Sequence, residues 1–68
     1  MNEIQAFYPK WGELKEAFLK MKTDGFENQK IMAFLNSKVQ DIYNHGYKET
    51  LTGGMLKEML EKETGMGE

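Results

Sequence analysis

Cysteine and arginine are both absent from this 68-residue chain, and proline, tryptophan and histidine occur once each. Each gap excludes something. Without cysteine there is no disulfide framework and no thiolate metal site. His45 alone cannot complete a structural zinc site, so neither a metal nor a cofactor is expected. Without arginine the commonest side-chain reader of guanine is missing. No run approaches the roughly 18 apolar residues of a membrane span. The start at Met1 shows no basic stretch leading into an apolar one, so no secretory signal is expected. Together with the missing cysteine, this gives a cytoplasmic expectation, with no membrane partner.

What remains is a chain rich in helix formers, with no alternating run of β-branched residues, so an all-α fold is expected. The length allows one domain. Domains this short bury only roughly 60% of the surface their unfolded chain exposes, so support must come from idealised helix packing or from self-association. The net charge of −2 runs against nucleic-acid binding, because neutralising phosphates normally requires a basic surface.

The periodicity predicts a small three-helix domain, with helices near 9–22, 27–45 and 51–63. Residues 1–8 are expected to form an arm or a short separate turn, 9–63 the helical domain, and 64–68 a disordered tail. Pro9 sets the first boundary. Proline suits a first helical turn and disfavours helical geometry in the residue before it. A helix from Glu3 is the alternative, because Ile4, Phe7, Trp11, Leu14, Phe18 and Met21 keep a 3-4 rhythm, but Pro9 in its interior would cost about 3 kcal/mol. With the later start, Ile4 and Phe7 of the arm pack back onto the domain. Trp11, Leu14, Phe18 and Met21 form the first buried stripe, and Gly25 is the natural left-handed cap. Lys10, Lys15, Lys20 and Lys22 make this the most basic segment. In the second helix Ile31, Met32, Leu35, Val39, Ile42 and Tyr43 share a face, with Phe34 at its edge. Asn36-Ser37 are weak helix formers, so 27–45 is either one helix or two pieces broken there. Thr50 or Thr52 is the N-cap of the third helix. Its stripe is Leu51, Met55, Leu56, Met59 and Leu60, and Gly53-Gly54 weaken its first turn.

No nucleophile, base and orienting group converge, so no enzyme and no catalytic residue is expected. Gly53-Gly54 lacks the Lys-Ser/Thr that a phosphate loop needs. His45 sits at a helix C-terminus, where its cationic form is favoured by the helix dipole. Glu58 and Lys62 form an i,i+4 pair on a solvated face. Six methionines are many for this length. Met21, Met32, Met55 and Met59 are assigned to core stripes, and Met66 to the tail. Eight aromatics exceed the need of a minimal three-helix core. Tyr8, Tyr43 and Tyr47, each with a polar tip and a large contact area, are the candidate partner-binding residues.

The order Leu14-(x3)-Phe18, Asp24-Gly25-Phe26, Ile31-(x3)-Leu35, Gly46-Tyr47 and Thr50-Leu51-Thr52-(x2)-Met55-Leu56-(x2)-Met59-Leu60 resembles the layout of small helix-turn-helix proteins over residues 10–62. That resemblance implies a Thr-capped helix placed in the major groove of duplex DNA. Lys48, Thr50, Thr52 and Lys57 would then be contacts, with Lys38 or the first-helix lysines on phosphate. Two features depart from the pattern. The stretch from Asn36 to Glu49 is longer than a tight turn, and the third helix carries Glu58, Glu61 and Glu63 against Lys57 and Lys62. The electrostatic balance therefore favours a protein-interaction module (an adaptor, an inhibitor or a self-associating regulator, homodimer included) over a DNA-binding regulator.

Overall fold

The computed structural model describes residues 3–65 and, among them, contains four α-helices and no strand. These are α1 (Glu3–Phe7), α2 (Trp11–Thr23), α3 (Asn28–Asn44) and α4 (Gly53–Thr64). The all-α expectation holds, but a short fourth helix precedes the three long ones. No helix of the described residues is long and apolar enough to cross a membrane. The Phe7 side chain, residues 1–2 of the expected arm and residues 66–68 of the expected tail lie outside the described residues. Thr64 belongs to α4, and Gly65 closes that helix in the left-handed conformation at φ 70°.

Pro9 divides the first apolar run into two helices. The Tyr8 N–H still donates to the Ile4 carbonyl (2.8 Å), and the Trp11 N–H donates to the Tyr8 carbonyl (3.1 Å). Pro9 lies in the turn between them, where its missing N–H interrupts no helical ladder. The second helix therefore begins at Trp11, two residues later than the proline alone suggested. The apolar rhythm runs across the break through Ile4, Tyr8, Trp11, Leu14 and Phe18, all buried.

Two helix ends share one device. Gly25 (φ 81°) and Gly46 (φ 106°) take left-handed conformations that favour glycine. At the first, the Phe26 N–H donates to the Met21 carbonyl (3.0 Å) and the Gly25 N–H to the Lys22 carbonyl (3.2 Å). At the second, Tyr47 and Gly46 reach Ile42 (3.5 Å) and Tyr43 (2.9 Å). This paired arrangement satisfies carbonyls that the end of a helix leaves open.

The third helix is continuous through Asn36-Ser37. The Ser37 hydroxyl donates to the Phe34 carbonyl one turn back (2.7 Å), so its polar group is satisfied without breaking the helix. Of the two candidate caps for the last helix, Thr52 is used: its hydroxyl accepts from the Met55 N–H (3.1 Å). Leu51 falls just before the helix and is buried in the joint. Gly53 starts α4 hard against α3, where a Cβ would collide with the Asn36 side chain and crowd Met32. Its small size serves close packing, beyond any loss of helix propensity.

The core joins Ile4, Tyr8, Trp11, Leu14 and Phe18 to Ile31, Leu35, Val39 and Ile42 of α3 and to Leu51, Leu56 and Leu60. The last helix packs against both α3 and α2. The second and third helices approach each other less closely, and a groove remains between them. Met21 and Met59 pack against the core as expected. Met55 does not; it is 43% exposed, as Phe26 is at 45%.

Candidate functional site

Of the tyrosines singled out from sequence, Tyr8 is buried, whereas Tyr43 and Tyr47 are half-buried. Tyr8 is 1% exposed, so it is core and not an accessible contact. It follows the last residue of α1 and precedes Pro9, a position where helical geometry is disfavoured. Its hydroxyl donates to Asp41 Oδ2 at 2.6 Å, across 33 residues. His45 closes the same corner. Its ring meets the Tyr8 ring edge-on at 5.0 Å, and its Nδ1 donates to the Asp41 carbonyl (3.0 Å). Asp41 is held below the usual aspartate range, first by the Tyr8 hydrogen bond and then by the charges of His45, Lys10 and Lys38. Tyr8 is pushed well above the usual phenol range by burial, then by the hydrogen bond to Asp41 and the charges of Asp41 and Glu13.

The signs of these shifts give a pH prediction. A lowered carboxylate contributes stability above its unfolded value of about 3.9, and that contribution is lost as pH falls through the folded value. A raised phenol contributes stability below its unfolded value of about 10, and that contribution is lost as pH rises towards the folded value. The stability gap between the protein and Tyr8→Phe should therefore be full at neutral pH and shrink at both extremes. Urea midpoints measured against pH for the two proteins test this. A gap that stays constant below pH 4 would show that the Tyr8–Asp41 bond contributes nothing.

Tyr43 and Tyr47 do come together. Their rings stack with centroids 6.3 Å apart. The Tyr43 hydroxyl accepts from the Leu51 N–H (2.8 Å) and donates to the Leu51 carbonyl (3.1 Å). Both polar groups of a buried residue in the α3–α4 connection are thus satisfied by one side chain. Tyr43 pins the joint, and Tyr47 lies half-buried beside it.

Among the candidate DNA contacts, Thr52 is occupied as the α4 cap. Lys57 is paired with Glu61 at 2.7 Å, with about three-quarters of each side chain covered. Lys48 and Thr50 are exposed on the connection. Lys38 stands apart on α3, its ammonium 5.3 Å from the centre of the Phe34 ring.

The feature not singled out from sequence is the groove between α2 and α3, about 180 Å³ in volume. Leu14 and Ala17 of α2 and Phe34 of α3 form its apolar lining, with Tyr8 at the side, and Lys10, Lys38 and Glu13 supply the charges. Its signals are local: a small residue, Ala17, between two buried ones, and Phe34 one turn before Lys38. A second cleft, between α2 and α4, is larger at about 490 Å³ but more open, with Lys15, Glu16 and Glu63 among its lining residues. The Lys15–Glu63 ion pair (3.7 Å) joins its two walls. No group of three or more metal-ligating side chains occurs among the described residues. Comparison with protein-family models, with curated proteins and with solved structures finds no match for this chain.

Proposed function

We propose that this chain is a non-enzymatic, cytoplasmic protein-interaction module of the adaptor, inhibitor or self-associating regulator kind. The observation that carries this reading is the state of α4, the helix that would read DNA. Its cap Thr52 and its Lys57 are engaged within the fold. Beyond them Glu58 and Lys62 are exposed and Glu63 is paired with Lys15 (3.7 Å), so its outer face offers phosphate no net attraction. The surface also presents Phe26, Met55 of α4 and the Phe34-lined groove, and exposed aromatic and methionine side chains suit protein contacts. A helix-turn-helix-like DNA regulator is the competing reading. It is supported by the packing of α4 on α3 and by exposed Lys48 and Thr50 in the connection.

The test uses the purified chain in two arms. Sedimentation velocity over a wide concentration range reads self-association, and affinity capture followed by reconstitution from two purified proteins reads a separate partner. A concentration-dependent mass or a reconstituted complex is expected. A strictly monomeric chain with no reconstituted partner would overturn the proposal.

A further inference from the structure

We propose that residues 3–8 form a strap that opens as a unit about Pro9 while α2, α3 and α4 stay folded, with the Tyr8 hydroxyl on Asp41 as its latch. The proposal does not depend on what the chain binds. Three features carry it: how little holds the strap, where the backbone divides, and how the latch is built.

A helix of five residues, Glu3–Phe7, is far shorter than the roughly 12–15 residues at which an isolated helix becomes even marginal in water. Its order therefore comes from packing. The buried side chains described in the strap are Ile4 and Tyr8, while Gln5 is half-buried and Ala6 exposed. The other ten of the twelve buried core residues run from Trp11 to Leu60. The last helix packs against both α3 and α2, whereas α1 makes no comparably extensive approach to any helix. Loss of the strap thus removes two anchors from the body and leaves its helix-on-helix packing in place. Segments with few buried apolar contacts open at a lower free energy than the whole fold.

The backbone divides at the proline. Pro9 has no N–H with which to bond the preceding turn. The second helix carries its own start, where the Leu14 N–H donates to the Lys10 carbonyl (2.9 Å). Across the turn the Trp11 N–H donates to the Tyr8 carbonyl (3.1 Å), and inside the strap the Tyr8 N–H donates to the Ile4 carbonyl (2.8 Å). Rotation about Pro9 and Lys10 breaks the first bond. The freed segment is too short to persist as a helix, so the second bond is lost in the same event.

The latch is one short hydrogen bond to a carboxylate, from the Tyr8 hydroxyl to Asp41 Oδ2 at 2.6 Å, and such charge-assisted bonds are stronger than neutral ones. Its receiving side is assembled on α3 and the residue that closes it. Asp41 and His45 lie one turn apart, tied by the His45 Nδ1 contact with the Asp41 carbonyl (3.0 Å). The His45 ring meets the Tyr8 ring edge-on at 5.0 Å. None of these groups moves with the strap, so Tyr8 returns to a preformed site. The open form uncovers the apolar surface that Ile4 and Tyr8 close, a surface the closed chain does not present.

Native-state hydrogen exchange of the full-length chain at low urea concentrations tests the proposal. The amides of residues 8 and 11 report the strap, and those of Leu35 and Ile42 report the body. Relative to their intrinsic rates, the two strap amides should exchange at least about tenfold faster than the body amides and with a shallower dependence on urea, because opening the strap exposes less surface than unfolding. Tyr8→Phe should speed both strap amides by a common factor of about ten or more, the loss of one hydrogen bond to a charged group. Tyr43→Phe, which loosens the α3–α4 connection, should leave them unchanged, because that connection is intact whether the strap is open or closed. Strap amides that share the rate and urea slope of Leu35 would show that the strap opens only with the whole fold. No response to Tyr8→Phe, or a response at residue 8 alone, would reduce the exchange to fraying behind a closed latch. Acceleration of the strap amides by Tyr43→Phe would tie the strap to the body. Each of these three results overturns the proposal.

Discussion

Trp11→Ala is expected to destabilise the fold by about 3–5 kcal/mol, the usual range for truncating a buried tryptophan. At roughly 0.05–0.15 kcal/mol per residue the whole stability of a chain of this size is about 3–10 kcal/mol, so the variant should lose a third of it or more and melt at a much lower temperature. Trp11 is 2% exposed and begins α2 just after the Pro9 turn. Its removal opens a void where the first two helices meet the core. Trp11→Phe separates two contributions. The indole Nε1 is buried without a hydrogen-bond partner among the described residues, and a buried unsatisfied N–H costs about 1–3 kcal/mol. Phenylalanine loses ring area but also removes that N–H, so the two effects partly cancel. Urea denaturation of all three proteins checks both points. Trp11→Phe should fall much closer to the parent protein than to Trp11→Ala. An unchanged midpoint for Trp11→Ala would show that the ring is not part of the core.

Tyr43→Phe is expected to cost about 1–3 kcal/mol, because one hydroxyl satisfies both the N–H and the carbonyl of buried Leu51. The ring stays, so its packing against the core and its stacking with Tyr47 persist. The loss should be local. Hydrogen exchange of the Leu51 amide should accelerate more than that of Leu35 or Ile42 in the middle and at the end of α3. Undiminished protection at Leu51 would mean that the connection is held by something other than Tyr43.

Local chemistry carries the parts of this fold that can be read from sequence. Gly25 follows the last apolar position of its helix, and it takes the left-handed conformation that the position needs. Thr52 precedes an apolar run and caps it. Pro9 announces a break, although periodicity alone suits either one long helix or a late start. The two short-range preferences are met together by a helix on each side of the proline. Tyr8 is harder to read. Its neighbour Phe7 fits the heptad equally well, and only the turn geometry brings Tyr8 inward to Asp41, 33 residues away. Tyr43 was legible as a residue with a polar tip, but the tip is used within the chain. The groove was least legible. It arises from the spacing between two helices, which depends on how α4 packs against both of them. Phe34 and Lys38 mark one wall, but nothing in α3 alone shows that Lys10 and Ala17 stand opposite.

The claim that this helical chain engages protein and not nucleic acid is tested most directly by anisotropy titration of several unrelated fluorescent duplexes at low salt, where electrostatic binding is strongest. A flat trace up to high protein concentration is expected, because α4 offers no free cationic face. Saturable binding whose affinity falls linearly on a logarithmic salt scale would contradict it and establish the DNA-binding reading in its place.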